Sequence, residues 1–166
     1  MQPHGHKDSK FLSLLLGAAK LSIIVISIVM IVVTLAQVIF RYVIAAPLPW
    51  SEELARYCFV WIVFLGGAIG LSRGIHLGVD LFVKTLPPRA QRAMDLLISV
   101  LIAVFAAAVI NASQPVISMN MFQRSPALGV QMSWIYIAIP ISMAMIIVIS
   151  VERIINGLRA APPPET

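Results

Sequence analysis

A single cysteine, Cys58, excludes an intrachain disulfide framework and a thiolate metal cluster. Histidine is nearly as scarce: His4 and His6 fall in a polar N-terminal tail, leaving His76, so no histidine pair exists to hold a haem between helices. Charge is sparse too. With 11% charged residues, 60% hydrophobic residues and a mean hydropathy of +0.95, the chain of 166 residues departs from any ordinary soluble domain. No internal repeat is evident, so the inverted halves of many stand-alone transporters are not visible either. The net charge of +5 does not point to nucleic acid, because the bases are scattered at helix ends instead of forming a stripe.

What is present is long apolar runs. The sequence predicts an all-α integral membrane protein with four transmembrane helices, at about residues 21–40, 52–71, 94–114 and 132–151. Residues 1–20 form an N-terminal tail and apolar lead-in, and residues 153–166 a C-terminal tail. The first run is too long for a signal-peptide core and lacks a clean cleavage site, so it is expected to remain as an anchor. Between the second and third spans Arg73, His76, Asp80 and Lys84 recur at helical spacing opposite Ile75, Val79, Phe82, Val83 and Leu86. This predicts a short amphipathic interfacial helix at about 73–86, its polar face against solvent or lipid headgroups, before Pro87 and Pro88 end it. Two potential ligands, His76 and Asp80, do not make a metal site. Pro115 is expected to kink or stop the third helix, with a short continuation at 116–122, and Pro140 to kink the fourth.

Lysine and arginine set the orientation. Lys7, Lys10, Lys20, Arg73, Lys84, Arg89, Arg92, Arg153 and Arg159 fall on one side if four spans alternate, against Arg41, Arg56 and Arg124 on the other. The positive-inside rule then places both termini in the cytoplasm.

The chemically marked stretch is Pro47 to His76. Two prolines stop any arriving helix, and Ser51 is expected to cap a new one. Glu52 and Glu53 suit its positive end, and Glu52 is expected to pair with Arg56 one turn on. Trp50 and Tyr57 fit an interfacial belt, while the deeper Trp61 is expected to pack on another helix. Gln37 either bonds across to another helix or meets headgroups. Gly66, Gly70, Gly74 and Gly78 line up on one helix face, which suggests a contact face at Gly66 and Gly70.

These residues carry a resemblance. Gln37 to Tyr42, Trp50 to Tyr57, Trp61, Phe64-Leu65-Gly66, Arg73 to His76 and Val79-Asp80, with weaker support from Ser125 to Gly129 and Ile139-Pro140, resemble the DctQ-type small membrane subunit of tripartite ATP-independent periplasmic (TRAP) transporters. The resemblance implies a non-enzymatic subunit of a secondary, ion-coupled uptake system for organic acids in a bacterial inner membrane. It also implies two partners, a large multi-span permease subunit and a periplasmic substrate-binding protein, beside membrane lipid. In that family the large subunit is thought to carry the substrate and sodium sites; this chain is expected to hold no cofactor and to act as scaffold. Gln37, Arg41, Trp50, Glu52, Glu53, Arg56, Trp61, Gly66 and Gly70 are then candidates for a subunit or binding-protein interface, against helix capping and anchoring alone. Two other readings compete: a self-sufficient homo-oligomeric exporter or channel, which lacks the expected intramembrane acid, and a membrane enzyme using His76 and Asp80, which lacks a nucleophile or cofactor motif.

Overall fold

The computed structural model describes residues 10–73 and 87–159. They form five helices: α1 (Lys10–Tyr42), α2 (Pro49–Ser72), α3 (Pro88–Met119), α4 (Ser133–Tyr136) and α5 (Ala138–Arg159). Four stretches are long and apolar enough to cross a membrane: Lys10–Tyr42, Pro49–Ser72, Ala90–Met119 and Ser133–Leu158, the last made jointly by α4 and α5. The amphipathic helix expected at 73–86 lies outside the described residues except for Arg73, which caps the C-terminus of α2.

α1 is unbroken over 33 residues, so the apolar lead-in and the first span are one helix. At 1.5 Å per residue it measures about 50 Å, well over the ~30 Å hydrocarbon thickness. Its first turns are its best-packed part. Leu12, Leu16 and Ala19 join Leu65, Ala68, Ile69 and Leu71 of α2 and Met145 and Ile149 of α5 in the buried cluster, with Trp61 packed against it.

α3 and α5 make the most extensive helix pair. Ser99, Ala106 and Ser113, seven residues apart on α3, are buried, as are Ala138, Ser142, Met145 and Ile149 on α5 at alternating four and three spacing. That is the 3.5-residue period of helices packed side by side, and the small side chains let the two backbones approach where lipid offers no hydrophobic drive. A Cβ built on Gly157, late in α5, would lie 3.0 Å from Leu96 Cδ2, early in α3, so the pair runs antiparallel.

Both internal prolines behave differently from the simplest expectation. α3 passes through Pro115 and ends at Met119. Its last turn is tightened by the Ser118 hydroxyl, which donates to the Pro115 carbonyl at 2.9 Å, and by the Asn120 side-chain amide, which donates to Val116 at 2.7 Å. Pro140 lies inside α5, and the interruption it causes falls upstream, between α4 and α5 at Ile137. The ring removes the N–H that would reach the Tyr136 carbonyl, the last residue of α4.

Candidate interaction site

The marked stretch builds one end of the bundle, and the local backbone explains how. α1 unwinds after Tyr42: the Val43 and Ile44 N–H groups both reach Ile39 O, Ala46 N–H reaches Phe40 O, and Ala45 takes a left-handed φ of 58°. Pro49 then opens α2, with Leu48 at the N-cap. Ser51 is therefore not the cap. Proline is preorganised for the first helical position, which moves the helix start three residues earlier, and the buried Ser51 hydroxyl donates back to the Leu48 carbonyl at 2.6 Å.

Glu52 corrects a second expectation. It pairs with α1 instead of Arg56: the Gln37 amide donates to Oε1 at 3.1 Å, and Arg41 Nη1 stands 3.7 Å from the same oxygen. The helix turn α1–α2 brings two donors to Glu52 from a neighbouring helix, and that tertiary geometry overrides the pairing one turn along α2. Gln37, Arg41 and Glu52 line an open cleft of about 440 Å³ together with Ala45, Pro47, Leu48 and Pro49.

Glu53, one residue on, faces the connection between α3 and α4. Its Oε2 accepts the Leu128 N–H at 2.9 Å and the Ala127 N–H at 3.2 Å. Successive backbone N–H groups form a cradle for an anion, and here the anion is the chain's own carboxylate. The connection is closed by Ser125 N–H to Val130 O at 2.8 Å and Met132 N–H to Gln123 O at 2.9 Å. Gly129 supplies the left-handed turn, φ 67°, and its carbonyl accepts from Arg124 at 3.3 Å. The Tyr57 hydroxyl reaches Met132 Sδ at 3.4 Å, so two residues of α2 grip the same connection.

The structure thus divides the nine candidates. Gln37, Arg41, Glu52 and Glu53 bind other parts of the chain, Trp61 packs on the core cluster, and Trp50 is partly exposed beside them. Arg56 points outward: its side chain forms neither an ion pair nor a hydrogen bond with any described residue. Gly66 and Gly70 are not a contact face within this chain, since a Cβ at either would meet nothing within 4 Å. Of the polar stripe on the far side, Arg73 ends α2, while His76, Asp80 and Lys84 lie outside the described residues.

One residue escaped the sequence reading. Arg153 of α5 donates to the carbonyls of Leu71 and Ser72, the last turn of α2. It satisfies acceptors that the helix end leaves unpaired and pins the point where the chain leaves the second span. Only its base character was visible in the sequence; its partner is set by packing.

The family model for the DctQ component of tripartite ATP-independent periplasmic transporters matches residues 30–160. The chain belongs to this family. The matched range takes in the end of α1 and all of α2, α3, the clamped connection, α4 and α5, and the family is one of transport components, not enzymes. Among curated DctQ relatives, the chain is 28% identical over 123 residues to the sialic acid TRAP transporter small permease protein SiaQ of Vibrio cholerae, covering 74% of this chain and 71% of that protein. It is 31% identical over 100 residues to the C4-dicarboxylate small permease protein of Rhodobacter capsulatus, covering 59% of this chain and 44% of that one. A third relative is larger: the isethionate TRAP transporter permease protein DctMQ of Oleidesulfovibrio alaskensis, 28% identical over 138 residues that make up 78% of this chain and 22% of that protein.

Proposed function

We propose that this chain is the small membrane subunit of a secondary TRAP-type uptake system, working beside a large multi-span permease subunit in a bacterial inner membrane with both termini cytoplasmic. The observation that carries the reading is the match to about a fifth of a much longer permease, which makes this four-span unit a module of a larger membrane assembly. The solute is an organic acid; the relatives are named for sialic acid, C4-dicarboxylates and isethionate, all anions at neutral pH. The large subunit carries the solute and sodium sites, and this chain supplies a scaffold.

The Trp50 end faces outward and receives the binding protein. The Gln37–Arg41–Glu52 cleft supports this, because its charged pair is loose and exposed and leaves guanidinium donors available to an acidic side chain. Reconstitution tests the reading. Proteoliposomes holding the large subunit, this chain and the binding protein are expected to accumulate the acid, and those lacking this chain are not. Solute movement through this chain alone would contradict it. Arg41→Glu is expected to lower uptake when the binding protein is limiting and to leave the two membrane subunits associated.

A further inference from the structure

The apolar outer face of α3 continues past the end of the helix. Leu97, Leu101 and Val104 are exposed on it, and Met119, 80% exposed, lies about five turns beyond Leu101 and so on the same face. Three residues on, Phe122 is 92% exposed, and across the connection Trp134 is 61% exposed. Bulky apolar side chains gathered uncovered at the end of a span mark a surface that meets membrane or protein.

The tethers of the connection set its height. Glu53 holds Ala127 and Leu128, and Tyr57 holds Met132, so the connection lies beside the first turns of α2, level with Trp50 and Tyr57, and does not stand above them. Tryptophan and tyrosine gather at the headgroup level of a bilayer. The direction in which the connection faces is set by the antiparallel pairing of Arg124 with Gln131, next to the Met132 N–H bonded to Gln123 O. Side chains alternate along such a pair, so with Met132 turned toward α2, Arg124 turns away from it. Among the described residues Arg124 bonds only the Gly129 carbonyl, through Nη1 at 3.3 Å, which leaves its other guanidinium donors open.

We infer that the α3–α4 connection is an interfacial anchor that grips a phospholipid of the leaflet at the Trp50 end. Met119, Phe122 and Trp134 lie against the upper part of the acyl chains, and Arg124 donates to the phosphate. Height and charge choose the occupant. A guanidinium beside apolar side chains at headgroup level has phosphate on one side and hydrocarbon on the other, and its fork of N–H donors matches phosphate oxygens. The face is also continuous with the exposed side of α3, a span whose length and apolarity suit hydrocarbon. The connection is thereby withdrawn from the aqueous surface, which leaves the α1–α2 turn and its Gln37–Arg41–Glu52 cleft as the part of this end open to a soluble partner.

The test uses the intact chain, with the membrane subunits that accompany it, in nanodiscs of phosphatidylcholine and phosphatidylglycerol. With Cys58→Ala removing the native thiol, a nitroxide is attached through Phe122→Cys, Trp134→Cys, Val104→Cys or Ala46→Cys, the last in the exposed α1–α2 turn. Power-saturation EPR compares access of oxygen, which concentrates in lipid, with access of water-soluble Ni-EDDA. Labels at Phe122 and Trp134 are expected to favour oxygen, less strongly than the label at Val104, while the label at Ala46 favours Ni-EDDA. Arg124→Glu, which sets a carboxylate against the phosphate, is expected to shift the label at Phe122 toward Ni-EDDA. A phospholipid with a diazirine near its headgroup, photolysed on the unsubstituted chain, is expected to label Phe122 and Trp134 and gives the reading without any change of residue. Ni-EDDA preference at Phe122 and Trp134 equal to that at Ala46 would overturn the anchor, as would exclusion of both reagents there, because protein would then cover the face. A label at Phe122 unmoved by Arg124→Glu would overturn the phosphate contact.

Discussion

Glu52 and Glu53 are neighbours with different work, and the backbone turn between them decides it. Glu52 looks across to α1 and Glu53 to the α3–α4 connection. The Arg41–Glu52 pair is more than half exposed on both sides, so Arg41→Ala is expected to change stability by less than about 1 kcal/mol in thermal unfolding. Glu53→Gln is different in kind, because a neutral amide cannot hold two N–H groups as the carboxylate does; hydrogen exchange at Ala127 and Leu128 should quicken while the core amides stay protected. Ala45 spends its left-handed φ without the freedom of glycine. Ala45→Gly should therefore raise stability by about 0.5 to 1 kcal/mol. The sequence marked these acids as special but not their partners, since spacing along one helix reveals only the near neighbour on that helix. Arg153 illustrates the same limit more sharply: its acceptors on α2 become its neighbours only through the packing of α5.

At the scale of helices, the spans were legible because hydrocarbon imposes length and apolarity on each one separately. The pairing of spans was not. What joins α3 to α5 is a set of small residues, Ser99, Ala106 and Ser113, hidden among longer apolar neighbours that face outward. Ala106→Leu is expected to force the pair apart at a cost of about 1 to 3 kcal/mol, read from thermal unfolding in detergent, whereas Val104→Leu on the exposed side should be nearly silent. Proline positions were legible, but their effects depend on place. Pro115 sits close enough to the end of α3 that the final turn re-forms beyond it, while Pro140 acts one turn upstream and separates α4 from α5. Pro140→Ala should join α4 and α5 into one helix, with the amide of residue 140 newly protected from exchange.

For the molecule as a whole, polar groups at the bundle ends are spent mainly on joining its own helices. The Trp50 end is tied by Glu52, Glu53 and Tyr57, the opposite end by Arg153. Between them the described spans carry few ionisable groups, which fits the proposed scaffold role and its proposed dependence on a partner for transport. Native mass spectrometry of the chain extracted gently from its own membrane tests that dependence most directly. A complex with a large multi-span permease at one-to-one stoichiometry is the predicted result. A homo-oligomer of this chain alone, able to move solute in liposomes, would contradict it.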